Sequence, residues 1–264
     1  MKLKKVPDFK TLSALLMRYH IRRGILTNNF ISGERRSDCI SANSLSYRCE
    51  GENLFLLEDR EDFSRLYFDL ADTDLLPAFD TAEKPVVTEI VLRPGDEKTL
   101  AALQVFSRAG FQRILTRERM QRGADSIKGD RRGAVPAVRA DIEAVGTLLR
   151  RNFDALTGCL LNAQELLREI DAGMIYKLSV DDRIAGLLHF SSDKKGVEIR
   201  HLAVCEQQRG KGIASRLLRR CLMEYGGGAR LWVSKDNDAA KAFYQKHGFS
   251  ADGWESYVMI KKRR

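Results

Sequence analysis

The stretch LAVCEQQRGKGIASRLL, residues 202–218, decides how this chain reads. An apolar strand pattern (Leu202, Ala203, Val204) runs into a basic turn with two glycines and then into a helix start. Helix N-termini expose unpaired N–H groups and the positive end of the helix dipole, which together hold anions. Gly210 and Gly212 let the backbone come close to such a group with no side chain in the way, and Arg209 and Lys211 add positive charge. The Walker spacing G-x-x-x-x-G-K-[ST] is absent. The dinucleotide fingerprint fails too, because it requires glycine where Ser215 stands. On these residues alone the turn suits a pyrophosphate without naming the ligand.

Outward from this segment the pattern alternates. Residues 197–204 read as a strand, and strict alternation puts Glu198, Arg200, Leu202 and Val204 on one face and Val197, Ile199, His201 and Ala203 on the other. Residues 211–225 form a helix, with Ile213, Leu217, Cys221 and Tyr225 at helical spacing and three glycines, 226–228, to stop it. A short strand (230–234), a helix (238–247) and a last strand (254–260) follow. Upstream lie a helix over 141–152, a second helix capped by Asn162 and closed by Gly173, and a hairpin of 174–180 with 183–190 around Asp181 and Asp182. Antiparallel strands first and a helix crossover later give an α/β (α+β) class, a mixed central sheet flanked by helices.

The first half repeats this order more weakly: a helix over 9–23, a hairpin of 53–58 with 63–70, a strand over 86–92, a helix over 99–109 and a strand over 111–120. TLAALQVFSRAGF (99–111) aligns without gaps with NDAAKAFYQKHGF (237–249), which reads as a degenerate internal duplication; helix–Gly–Phe is also a common way to leave a helix. No second basic glycine turn occurs. TDLLPAFDTAEKP (73–85) is too short for a strand, turn and helix, and Phe106 stands opposite Tyr244. CISANSLSYRC (39–49) reads as a polar loop. The Gly-rich, charged stretch QRGADSIKGDRRGAVP (121–136) reads as a linker, giving domains at 1–125 and 133–264.

Bulk properties set limits. The 264 residues are 44% hydrophobic and 31% charged, ordinary for a globular protein with a sizeable core. No apolar run approaches the roughly 18–20 residues that span a bilayer, and MKLKKVPDFK has no apolar stretch behind its lysines, so it does not read as a secretory signal. The 5 cysteines are scattered without a C-x-x-C pair, which argues against a disulfide framework or zinc site and fits a reducing cytoplasm. The net charge of +9 admits a nucleic-acid partner or anionic small molecules. No aromatic-basic platform supports the former, and the KKRR tail reads as a solvated end. Oligomeric state is not readable; a homodimer is compatible.

Arg209-Gly210-Lys211-Gly212-Ile213-Ala214, with its flanking L-A-V and R-L-L, resembles the Q/R-x-x-G-x-G/A motif of the GNAT superfamily of N-acetyltransferases. Glu206 stands where many members carry proline. LWVSKDNDAAKAFYQKHGF (231–249) is similar to the family's second signature. The resemblance implies a GNAT acyl-CoA N-acyltransferase fold, as a tandem of a degenerate and an intact copy. It further implies that residues 209–214 bind the acetyl-CoA pyrophosphate through backbone amides. Strand amides at Leu202, Ala203 and Val204 would meet the thioester carbonyl and the pantetheine arm from a splayed strand. Asn237 would touch that arm or cap its helix, and the Tyr244 phenol, with an ordinary pKa of ~10, would protonate the departing thiolate. Glu198 lies where histone-acetylating members place their base; a carboxylate paired with a neighbouring arginine is the competing reading, and His201 the competing base. Phe243 reads as core, His247 as a helix C-terminal residue favourable to the dipole, and Cys205 as a small buried residue. The implied activity is acetyl transfer from acetyl-CoA to a primary amine by direct attack, with no metal. A non-catalytic acyl-CoA-binding regulator is the alternative, against which Tyr244 beside Asn237 argues. The first half would wall the acceptor pocket, complete a sheet or dimerise.

Overall fold

The structure is a computed structural model and describes residues 3–21, 24–73, 84–124, 133–193, 196–225 and 228–262. Most of the 73–85 segment, the centre of the expected linker, the first two glycines of 226–228 and the end of the basic tail lie outside these residues. The chain forms two compact units: Met1–Arg117 with Gly253–Arg264, and Glu118–Asp252. No helix among the described residues is long and apolar enough to cross a membrane.

The first unit contains β1 (Lys4–Lys5), α1 (Phe9–Tyr19), β2 (Leu26–Thr27), α2 (Gly33–Ser41), β3 (Leu45–Glu50), β4 (Asn53–Asp59), β5 (Ser64–Leu70), β6 (Val86–Leu92) and α3 (Glu97–Arg108). The chain then passes along β7 (Gln112–Arg122) into the second unit. Neighbouring strands from β3 to β5 are antiparallel, whereas β5 and β6 are parallel. Period-2 alternation sends Leu54 and Leu56 of β4 into a core beneath α1 and α2, and Phe55 and Leu57 into a core shared with α3. The expected polar loop at 39–49 is instead the end of α2, a turn with Asn43 at φ +51°, and most of β3. Its alternation was the missed signal: Leu45, Tyr47 and Cys49 face the helices, and Ser46, Arg48 and Glu50 do not.

The second unit contains β8 (Ala134–Pro136), α4 (Ile142–Asn152), α5 (Ala163–Asp171), β9 (Ile175–Val180), β10 (Arg183–Asp193), β11 (Gly196–Val204), α6 (Ile213–Tyr225), β12 (Ala229–Ser234) and α7 (Asp238–Lys246). β8 to β11 are antiparallel neighbours, and β11 runs parallel to β12 with α6 as the crossover. Asn162 and Glu165 close a reciprocal capping box at α5, and Asp181 and Asp182, both at positive φ, make the hairpin turn. One core lies against α6 and α7, the other against α4 and α5.

β13 (Ser250–Lys261) ends the chain. The sequence reading assigned all of 133–264 to the second domain, yet Gly253–Arg264 belongs to the first unit. β13 pairs antiparallel with β6 from Glu255↔Leu92 to Lys261↔Val86 and buries Met259 in the core of α3. β6 needs a partner for the edge that β5 leaves open, and the apolar run 257–260 supplies it.

A bulge also changes β11. His201 pairs with His189, but Ile199 pairs with Phe190, so Arg200 is an extra residue. The strict alternation expected along 197–204 is therefore broken. Val197 and Ile199 share the α6 face with Leu202 and Val204, whereas Ala203 packs beneath α4 and α5. Glu198, opposite its two apolar neighbours, shares the face of His201 and Ala203 rather than that of Leu202 and Val204.

Candidate active site

The site grows from the exit of β11. Cys205 closes the strand by donating its N–H to the Ala185 carbonyl at 2.8 Å and its thiol to the Ile184 carbonyl at 3.2 Å. A single 3-10 turn, Glu206–Gln208, leads to the glycines. Gly210 and Gly212 sit at φ +76° and +75°, with open space where a Cβ would project. Glycine is required there by backbone conformation, not by packing. The first bond of α6 is Arg216 N–H to the Gly212 carbonyl at 3.1 Å. The N–H groups of Ile213, Ala214 and Ser215 are thus the open donors of a helix start. Among the described residues, those of Gly210, Lys211 and Gly212 have no protein partner either. Arg209 reaches Asn152 at the end of α4 (3.2 Å), and Lys211 reaches Gln208 (3.1 Å).

Beside this cradle the parallel strands part. β11 and β12 pair at Val197↔Ala229, Glu198↔Arg230 and Ile199↔Leu231. Beyond, β11 continues through Leu202, Ala203 and Val204 with no β12 partner among the described residues. Asn237 caps α7, its side-chain oxygen accepting from Ala240 N–H at 3.0 Å. Tyr244 of α7 is 9% exposed, edge-on to Phe243 and Phe249. Its hydroxyl makes no hydrogen bond among the described residues, and burial pushes the phenol above its ordinary pKa. It stays a proton donor at neutral pH.

The two base candidates are both engaged. Arg230 Nε donates to the Glu198 carboxylate at 2.9 Å. His201 is bonded at both nitrogens, Nδ1 to His189 Nδ1 at 3.0 Å and Nε2 to the Gly158 carbonyl at 2.7 Å. His247 takes Ser215 Oγ at 3.0 Å, tying α7 to the first turn of α6. Burial first, then Arg219, Lys246 and Arg122, push its pKa down, so these outweigh the helix-dipole effect expected from its position. Neither Asn152, Ser215, His189 nor Glu169 was marked by sequence reasoning. Their relevance depends on strand register and helix packing, which leave no local motif.

The first unit shows what a filled splay looks like. β5 and β6 also pair only at Ser64↔Val86, Arg65↔Val87 and Leu66↔Thr88. There β2 lies along β5, and the Asn28 side chain enters the fork, donating to the carbonyls of Leu66 (3.2 Å) and Glu89 (2.9 Å) and to Thr88 Oγ1 (3.0 Å). Backbone groups that a cofactor arm could use are spent on the chain itself. The aligned helix ends are alike. Phe111 N–H donates to the Phe106 carbonyl (3.0 Å) and Phe249 N–H to that of Tyr244 (3.1 Å), each after a positive-φ glycine. Phe106 contributes no hydroxyl.

A family model described as "Acetyltransferase (GNAT) domain" matches residues 171–251. No curated protein matches the chain. Among solved structures, a GCN5-related N-acetyltransferase from Sphaerobacter thermophilus is 16% identical, with 80% of this chain and 77% of that chain covered and a TM-score of 0.59. A GNAT-family acetyltransferase from Colwellia psychrerythraea is 13% identical, with 99% and 100% covered and a TM-score of 0.58. A tandem GNAT protein from the clavulanic acid biosynthesis pathway is 12% identical, with 83% of each chain covered and a TM-score of 0.54. These likenesses carry the fold. The stretch that matches the GNAT domain model, residues 171–251, runs from the end of α5 to the start of β13 with the glycine turn at its centre.

Proposed function

We propose that the second unit transfers an acetyl group from acetyl-CoA to a primary amine by direct attack. The observation that carries this is the open row of N–H donors over residues 210–215 beside a splayed strand pair, with a protonated, buried tyrosine on the next helix. The residues fit the cofactor. Backbone amides of Gly210, Lys211, Gly212, Ile213 and Ala214 would hold the pyrophosphate, aided by the Arg209 and Lys211 side chains; the Arg209 N–H is already given to the Glu206 carbonyl at 3.2 Å. Leu202 and Val204 would offer backbone groups to the pantetheine arm and to charge developing on the carbonyl oxygen, while Ala203, paired with Leu187, turns its own toward β10. Asn237 would keep α7 in register beside that arm.

Acetyl-CoA supplies an activated thioester, so no metal or covalent intermediate is needed. Tyr244 would give its proton to the sulfur as the thiolate leaves. Glu198 would take the amine proton, directly or through water, with Arg230 holding its carboxylate in place. The free cysteines fit a reducing cytoplasm.

The test is acetyl-CoA consumption across a panel of amino acids, polyamines, aminoglycosides and peptides. At least one should be acetylated. Tight acetyl-CoA binding without turnover on any of them would instead establish a non-catalytic acyl-CoA-binding protein.

A further inference from the structure

One buried titratable group has no part in that scheme. His189 of β10 and His201 of β11 face each other in register, 1% and 5% exposed. Their rings stack, with centroids 5.3 Å apart and planes 13° from parallel. Their Nδ1 atoms are 3.0 Å apart, and His201 Nε2 lies 2.7 Å from the Gly158 carbonyl. At the other end, His189 Nε2 lies 3.4 Å from the Glu169 carboxylate of α5. A chain therefore runs from the Gly158 carbonyl through two imidazoles to a carboxylate.

Its protons can be counted. A carbonyl and a carboxylate only accept, so each end needs an imidazole N–H, and the contact between the rings needs a third. Two neutral imidazoles carry only two. A neutral chain must leave one contact unmade. Either His201 holds Gly158 and His189 turns a bare lone pair to Glu169, or His189 holds Glu169 and His201 turns a lone pair to the Gly158 carbonyl, or both ends are held and the two Nδ1 lone pairs oppose each other; each leaves one of the three contacts unmade. One added proton completes all three. Lone pairs opposed at 3.0 Å repel and a charged carboxylate is the stronger acceptor, so the neutral chain gives its end proton to Glu169 and leaves the Gly158 carbonyl unheld.

Gly158 belongs to a rigid turn on the site. The Asp154 carboxylate accepts from the N–H groups of Leu156 and Thr157, both at 3.0 Å, and Gly158 N–H donates to the Asp154 carbonyl at 2.7 Å. A Cβ on Gly158 would lie 2.6 Å from that carbonyl oxygen. Phe153 stands edge-on to His201 at 4.7 Å, and its neighbour Asn152 meets Arg209. The segment 152–158 thus runs from the anion-binding turn to the splayed strand, on the face that also carries Glu198.

We propose that Glu169, His189 and His201 form a proton-completed anchor that positions the loop 153–161, through the Gly158 carbonyl, as the acceptor-side wall of the site. The assignment of that wall rests on the acyltransferase reading; the anchor does not. His189 and His201 are positioning residues. The charged groups facing them are Glu169 and, farther off, Arg168 and Arg200. Burial pushes His189 below the ordinary imidazole value, while His189 holds the Glu169 carboxyl below its usual range. The added proton therefore sits on His189, and the anchor completes on the acid side.

The test compares wild type with Glu169→Gln, whose amide can donate to the His189 lone pair and supply the third proton without titrating. Hydrogen-exchange protection factors for the amides of 156–158 are measured in the free protein from about pH 5 to about pH 8. Wild-type protection should fall about tenfold as pH rises, while Glu169→Gln stays protected throughout. Glu169→Ala removes the accepting end, so two protons suffice for the two remaining contacts and protection should likewise lose its pH dependence. Imidazole nitrogen NMR should find His201 protonated at Nε2 on the acid side and at Nδ1 once the chain is neutral. Identical protection profiles in wild type and Glu169→Gln, or a His201 protonated at Nδ1 alone on the acid side, would overturn the anchor. In turnover, KM for the amine should follow the same pH profile, with KM for acetyl-CoA unmoved. If no amine is acetylated, the acyltransferase reading fails while the exchange result still decides the anchor.

Discussion

Asn28 and Phe68 bond each other twice: Phe68 N–H donates to the Asn28 side-chain oxygen at 2.7 Å, and Asn28 N–H donates to the Phe68 carbonyl at 3.3 Å. This exchange closes in the first unit the fork that the second leaves open. Asn28→Ala should lower the unfolding free energy by about 1–3 kcal/mol, because buried strand groups lose their partner. Urea melts would measure it. Calorimetric titration with acetyl-CoA should still give one site per chain, since the first unit has no basic glycine turn; two sites would refute the filled-fork account.

Tyr244→Phe removes a hydroxyl that has no hydrogen-bond partner among the described residues. Folding stability and acetyl-CoA affinity should barely change, while kcat falls about 100-fold. Normal turnover in this variant would remove Tyr244 as the acid.

Gly210→Ala and Gly212→Ala should weaken acetyl-CoA binding. Each forces a side chain into a left-handed backbone conformation, at about 1–3 kcal/mol, and places a methyl group in the open cradle. Affinities from titration calorimetry, set beside urea melts, would separate strain from lost binding. An unchanged affinity would rule out the turn as the anion site.

Glu198→Gln should leave acetyl-CoA affinity intact and lower turnover by about 10- to 100-fold at neutral pH. The Arg230 contact survives as an amide hydrogen bond, so the fold should hold. If rates at saturating amine match wild type, the carboxylate is structural, held to Arg230 as an ordinary ion pair.

Stability should fall on acidification in a way that His247 partly explains. Its folded pKa lies below the unfolded value, so the unfolded chain takes up the proton first. The contribution is full above the ordinary imidazole value and lost as pH falls through the folded value. His247→Gln should flatten the urea midpoint between about pH 7 and about pH 5; an unchanged slope would assign the effect elsewhere.

The sequence by itself determined the features set by local backbone rules. The turn at 209–212, the caps at Asn162 and Asn237, the Asp181–Asp182 hairpin and the glycine exits at 110 and 248 are written in residues that few others can replace at those dihedrals. The alternation of helix and strand followed from hydrophobic periodicity, which burial enforces residue by residue. Tertiary structure decided whatever depends on which strand lies beside which. The Arg200 bulge moves Glu198 to the face of His201, and no periodicity reveals an extra residue until its partner strand is in place. The last strand leaves its own half because the edge of β6 needs hydrogen bonds, an obligation invisible from within β13. Asn28 in the β5–β6 fork and the chain from Gly158 to Glu169 join residues far apart in sequence. Only the packed sheet brings them within hydrogen-bonding distance.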